Sequence, residues 1–175
     1  LNREERRIPY PVLELRQRHH APQDQEQPSW NQPEHRAALL ARNPLFANLS
    51  DAERSTLAPL TRCLRFGPGE TVVREGDTGD CLYQVVSGSL EVLKQADLIN
   101  RDTIEVAHLG PTAVFGEMTL CTDAPRNATV RTLSETVLLE VERQDLAPLL
   151  DANPALLEQL GSLVSARQHE LQRLS

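Results

Sequence analysis

The sequence predicts a mainly β domain of the sandwich or jelly-roll kind, flanked by helices. Two observations carry that reading. Between Phe66 and Val141 the chain breaks into short runs with a period of two, separated by Gly-containing turns. On either side of this region the apolar residues recur at helical spacing. A length of 175 residues is enough for one domain with its own core plus appendages.

Residues 1–33 do not read as part of a packed core. Residues 3–7 are all charged, and Ile8-Pro9-Tyr10-Pro11 is held extended by its prolines. From Pro22 to Pro33 the chain is rich in Gln and Pro, with Trp30 as its one aromatic residue, a linker composition. His19-His20 reads as solvated linker. A helical pattern runs from Glu34 to Arg42 and stops at Pro44, and Leu45, Phe46 and Leu49 form an apolar turn. Ser50-Asp51-Ala52-Glu53 is a capping box, and Leu57, Leu60 and Leu64 are expected to extend that helix's apolar face.

After Phe66 the period changes. Gly67-Pro68-Gly69-Glu70 is a turn, Thr71-Val72-Val73 is β-like, and residues 76–80 form a second turn. Strands are expected at 82–86, 90–93, 104–109, 130–133 and 137–141, with a polar hairpin loop at 95–102. Residues 145–150 suit a short helix. Asn153-Pro154 opens another, with leucines from Leu156 to Leu174 at helical spacing.

Charge and composition exclude several function classes. The net charge is −7, and no run of Lys and Arg suggests a nucleic-acid surface. Cys63, Cys81 and Cys121 are odd in number and lack metal spacing, so they read as reduced thiols. No apolar run approaches the ~20 residues of a membrane helix, and no signal peptide is visible. The chain opens on Leu1, and it is expected to be a piece of a longer protein. No nucleophile stands beside a base and no metal constellation appears, so an enzyme is not expected.

The informative stretch is Phe115 to Val130. Gly116 lets a ligand approach the backbone, and Glu117 to Leu120 can wind into a turn whose first amides point outward. Glu117 can accept from hydroxyls, Arg126 is a planar cationic fork suited to phosphate oxygens, and Pro125 stiffens the chain before it. Together they read as a ribose-phosphate pocket. The alternative is a surface hairpin on which Glu117 and Arg126 form a solvated ion pair.

Phe115-Gly116-Glu117, Leu120, Pro125-Arg126 and Ala128-Thr129-Val130 resemble the phosphate-binding cassette of the cyclic nucleotide-binding domain family. The wider span 44–142 is similar to that domain through Pro68-Gly69-Glu70, Gly76-Asp77, Gly79-Asp80, Tyr83 and Ser87-Gly88. Pro111-Thr112-Ala113-Val114 departs from the pattern, since many members have a Gly-Asp turn there. The resemblance implies an α+β, mainly β fold over residues 34–175. It would be an eight-stranded jelly roll (a double-stranded β-helix) with N-terminal helices and a C-terminal two-helix lid.

The implied ligand is a 3′,5′-cyclic nucleotide, with no other cofactor and no metal. Arg126 would pair with the exocyclic phosphate oxygens. Amides of Gly116, Glu117, Met118 and Thr119, and those near Asn127 and Ala128, would share that charge. Glu117 would accept from the ribose 2′-hydroxyl. Arg167, on the last helix, is the candidate lid contact, with a solvated helix residue as the other reading. Asn127 stands where a Thr often favours cGMP in the family, and cAMP is expected over cGMP.

Ile8-Pro9-Tyr10-Pro11, with Leu13, Leu15 and Arg16 behind it, is similar to the end of the cytoplasmic domain of small-conductance mechanosensitive channels. An ordinary Pro-rich linker is the alternative. The likeness implies that residues 1–20 close an upstream channel domain and that 21–33 are a linker to the sensor. The whole protein would then be a homo-heptamer at the cytoplasmic face of a bacterial inner membrane, this piece being soluble and monomeric by itself. A catabolite-activator-type transcription regulator, a kinase regulatory domain and a degenerate scaffold are the competing settings.

Overall fold

The strand at 136–142 sends Leu138 into one core and Leu139 and Val141 into another, and the fold is arranged around that strand. A computed structural model describes residues 32–96, 99 and 102–174. The expectations for Ile8-Pro9-Tyr10-Pro11, His19-His20 and Trp30 lie outside these residues, as does the side chain of Cys121. The described residues form eight strands: β1 (Arg62–Phe66), β2 (Thr71–Val73), β3 (Cys81–Ser87), β4 (Leu90–Gln95), β5 (Thr103–Leu109), β6 (Val114–Phe115), β7 (Thr129–Thr132) and β8 (Thr136–Glu142). They form two sheets, β1-β8-β3-β6 and β2-β7-β4-β5.

The pairing is nested. β1 meets β8, β2 meets β7, β3 meets β6 and β4 meets β5, all antiparallel. The chain is thus one long hairpin, rolled so that β3 also pairs with β8 and β4 with β7. This is a jelly-roll arrangement, in which antiparallel strands are wrapped into two facing sheets. The mainly β expectation holds.

Helices cover the outer face of the β1-β8-β3-β6 sheet. They are α1 (Pro33–Leu40), α2 (Pro44–Ala47) and α3 (Asp51–Leu57), then α5 (Arg143–Ala152) and α6 (Pro154–Leu174); α4 (Met118–Cys121) is a single turn elsewhere. Because successive strand side chains point to opposite faces, Leu139 and Val141 join Leu40, Phe46, Leu57, Leu146, Leu156 and Leu160 under the helices. Leu138 joins Tyr83, Val85, Leu90, Phe115 and Val130 between the sheets. A strand covered on both sides has no polar alternation, which explains the apolar run at 137–139. Each fully buried leucine contributes about 1.5–3 kcal/mol. Among the described residues, no helix is long and apolar enough to cross a membrane.

The capping box forms as read. Ser50 accepts from the Glu53 amide at 3.1 Å and the Glu53 carboxylate accepts from the Ser50 amide at 2.9 Å. The expected continuation of that helix does not form. Pro59 sits in a single 3-10 turn at Ala58–Leu60, Leu60 is half exposed, and Leu64 belongs to β1. Pairing of residues 62–66 with β8 overrides the helical spacing. β6 was not expected either, being only two residues long. The helix expected at 145–150 extends over 143–152 and includes Pro148. Among the described residues, Cys63 and Cys81 are in no disulfide.

The departure at Pro111-Thr112 has a structural consequence. Thr112 adopts φ 75°, the left-handed region that a β-branched residue reaches only under strain. Its amide donates to the Val85 carbonyl at 2.8 Å, and its carbonyl accepts from Asn43 Nδ2 at 2.7 Å. Those bonds hold the turn that delivers β6 to the pocket. Thr112→Gly is expected to raise the unfolding free energy by about 1 kcal/mol, since glycine reaches this φ without the Cβ clash. Urea denaturation checks this, and a drop in stability would show that Thr112 is not strained.

Candidate functional site

The ligand-site residues read from the sequence converge at one end of the space between the sheets. Phe115 ends β6 against Tyr83, their rings stacked at 5.1 Å between centroids. Gly116 follows at φ 85° and turns the chain into α4. A cavity of about 280 Å³ opens there, near the lower end of the usual ligand-site range. Its walls are apolar, from Val73, Val92, Val106, Leu109 and Val130. Its polar groups come from Glu117, Arg126, Asn127, His108 and Arg167.

Arg126 and Glu117 do not form a solvated pair. Arg126 is 7 % exposed and Glu117 3 % exposed. The Arg126 guanidinium lies 5.9 Å from the centroid of the Tyr83 ring and donates to the Gly116 carbonyl at 3.4 Å. No carboxylate forms an ion pair with it among the described residues. Two glycines make the room. A Cβ at Gly79 would lie 2.3 Å from Arg126 Nη2, and one at Gly116 would lie 2.7 Å from Nη1. The Arg126 backbone is fixed as well, its amide donating to the Asp77 carbonyl and its carbonyl accepting from the Gly76 amide, each at 2.7 Å. A buried cation without a counter-ion is costly, so this site favours an anion.

Glu117 faces the same cavity from the start of α4. Arg167, on α6, donates to Glu117 Oε1 at 3.4 Å and to the Val114 carbonyl at 3.0 Å. The reading of Arg167 as a purely solvated residue is therefore replaced: it reaches back from the last helix to the pocket. Burial pushes the Glu117 carboxyl above its ordinary value, and Arg167 and Arg126 only partly offset that.

Gly116, Glu117, Met118, Arg126, Asn127, Ala128 and Arg167 all line the cavity. Thr119 does not. It is buried, its hydroxyl donates to the Gly116 carbonyl at 3.0 Å, and its amide turns to the same oxygen at 3.4 Å. The amide expectation for Thr119 thus meets an internal competitor, because a one-turn helix closes its own bonds. Sequence reading missed the apolar wall and the support beneath Arg126. Gly79 was legible as a turn residue and as part of the family pattern, not as a neighbour of Arg126. Tyr83 lies under the guanidinium and stands across the strand pair from Glu140, which Arg62 pairs at 3.2 Å. Burial raises the Tyr83 and Glu140 values, with Arg62 pulling Glu140 back in part.

A family model described as "Cyclic nucleotide-binding domain" matches residues 63–153. A cAMP-dependent protein kinase regulatory subunit of Dictyostelium discoideum is 35 % identical over 107 residues, 61 % of this chain and 33 % of that protein. A CRP-like cAMP-activated global transcriptional regulator of Mycobacterium tuberculosis is 30 % identical over 74 % of this chain and 57 % of its own length. A protein named as a potassium channel in Rhodopseudomonas palustris is 28 % identical over 74 % of this chain and 31 % of its own length. Among solved structures, the regulatory domain of Toxoplasma gondii PKA with cAMP superposes with a TM-score of 0.68 at 26 % identity, covering 75 % of this chain and 50 % of that one. The chain therefore spans from about a third to somewhat over half of these relatives' length.

The raised Glu117 value fixes a pH dependence. A carboxyl whose folded value lies above its unfolded one contributes stability that is complete below the unfolded value, ordinarily 4.5, and is lost as pH rises through the folded value. In the ligand-free chain, Glu117→Gln is expected to melt higher than wild type at about pH 7, with the gap closing toward about pH 4. Thermal melts across that range check it; a mutant that melts lower at neutral pH would mean that the Arg167 pair outweighs burial.

Proposed function

This chain belongs to the cyclic nucleotide-binding domain family, and from that premise we propose that its pocket holds cAMP in preference to cGMP and that the chain is a sensor, not an enzyme. One observation carries the reading: the Arg126 guanidinium is buried in a cavity, and no carboxylate forms an ion pair with it among the described residues. A cyclic phosphate supplies the missing charge. Charge-assisted bonds of this kind are short and strong, and the guanidinium fork suits two oxygens at once. Glu117, on the same cavity, accepts from the ribose 2′-hydroxyl. The apolar wall from Val73, Val92 and Val130 gives the flat base and ribose a dry surface. The names of the relatives, cAMP-dependent and cAMP-activated, support cAMP.

Sensing follows from the shared use of Glu117. That carboxylate is engaged by Arg167 of α6. A ribose hydroxyl arriving at Glu117 changes what Arg167 binds, and α5 and α6 move as a lid on the eight-stranded roll. A ligand shifts such an equilibrium only by its differential affinity for the two states. The output we propose is control of an attached bacterial channel at the cytoplasmic face of the inner membrane, assembled as a heptamer. The likeness to the protein named as a channel supports this setting. A second setting, the sensing half of a transcription regulator, is favoured by the 30 % identity to the CRP-like protein over 74 % of this chain. Sequencing the gene beyond both ends of this chain separates them: membrane spans upstream favour the first, and a helix-turn-helix downstream favours the second.

Arg126→Ala is expected to weaken cAMP binding at least about thirtyfold, because a desolvated phosphate is left unpaired. Calorimetric titration with cAMP and with cGMP measures this, and equal affinity in mutant and wild type would sink the assignment.

A further inference from the structure

Lys94 is out of place by pattern. It falls on the inward-facing row of β4, in step with Leu90 and Val92, where the row would otherwise continue apolar. β7 begins at Thr129, opposite Leu93, so Lys94 extends one step past the end of its partner strand. Its ammonium crosses that gap and donates to the Asn127 carbonyl at 2.8 Å. It also pairs with Glu75 Oε2 at 3.4 Å, both side chains being about three-quarters buried. The other Glu75 oxygen accepts from the Gln95 amide at 2.8 Å, and the Glu75 amide donates to Thr129 Oγ1 at 2.9 Å.

Those bonds enclose a short piece of chain. Glu75 holds residue 129, Gly76 and Asp77 hold both backbone groups of Arg126, and Lys94 holds the carbonyl of Asn127. Lys94 does not line the cavity. We propose that Glu75 and Lys94 are positioning residues, a charged clamp that sets where Arg126 and Asn127 stand in the ligand pocket. The clamp has a physical logic. Residues 122–128 lie between α4 and β7, outside regular pairing. A carbonyl there has no ladder partner, and one cation bridging it to a fixed carboxylate supplies one.

This inference rests on the nucleotide-sensor reading, and its test separates position from charge. If Glu75 and Lys94 acted through their field at the phosphate, Glu75→Gln would tighten anion binding, because it removes a negative charge. Positioning requires the opposite sign. In the 175-residue chain, Lys94→Met and Glu75→Gln are each expected to weaken cAMP binding about tenfold, the scale of one lost charge-assisted bond. The double variant is expected to be no weaker than the poorer single one, since both remove the same clamp. Lys94→Arg is expected to restore affinity to within about twofold, as it keeps the charge and donor. Tighter binding by Glu75→Gln, or unchanged affinity in Lys94→Met, would overturn the proposal. A second readout needs no ligand. Hydrogen exchange at the Arg126 and Ala128 amides of the free protein should speed up about tenfold in Lys94→Met while amides of β8 keep wild-type rates. If the wild type binds neither nucleotide, the sensor reading fails and this exchange measurement still decides on the clamp: unchanged local rates reject it.

Discussion

A guanidinium kept out of water, with no counter-ion among the described residues, is the constraint on which the rest of the site depends. Removing a cation from solvent is costly, and the fold meets that cost with partial substitutes. Arg126 lies over the face of Tyr83, which offers a weak electrostatic attraction, and against the Gly116 carbonyl. Its main chain is bonded on both sides to the turn at Gly76 and Asp77. Neither Gly79 nor Gly116 can carry a Cβ without striking it. A site that holds its cation this firmly loses little to reorganisation when an anion arrives.

The layered packing makes such a site possible. β3 and β8 separate two cores, so β3 presents Leu82 to the helices and Tyr83 to the space between the sheets. The same alternation puts Tyr83 under Arg126 and next to Glu140, whose charge Arg62 balances from β1. Helices on the outer face tie β8 directly to α5 and α6. Arg143, at the junction of β8 and α5, bonds the Thr122 carbonyl and pairs with Asp123, so the cassette loop and the helical layer share a joint. Arg167 closes the loop from the far end of α6 to Glu117. The pocket and the C-terminal helices are therefore one connected structure.

Much of this was legible in the residues. The capping box at Ser50 and the glycine-punctuated strands depend on neighbours within a few positions, and the fold kept them; the switch from helix to strand comes earlier than the change of period at Phe66, at Arg62. The cassette residues were legible through their likeness to the family pattern, beside residue types that suit a phosphate: a cation, an acceptor and a bare backbone. What was not legible depends on partners far away in sequence. β1 reads as helix until β8 pairs with it, and β6 is too short to carry a period. Lys94 falls between the expected strand at 90–93 and the expected loop at 95–102, and nothing marks it until the end of β7 leaves a carbonyl beside it. Thr119 reads as a pocket residue until the turn consumes its polar groups.

The sequence by itself determined the mainly β class, the cassette and the chemistry of Arg126 and Glu117, because local spacing and residue type specify these. Tertiary structure alone decided that both charges are buried, that Arg167 and not Arg126 pairs with Glu117, and that Gly79 and Tyr83 belong to the site. Burial and pairing are properties of residues brought together from distant positions, such as Glu117 and Arg167, 50 apart, and no local pattern encodes them.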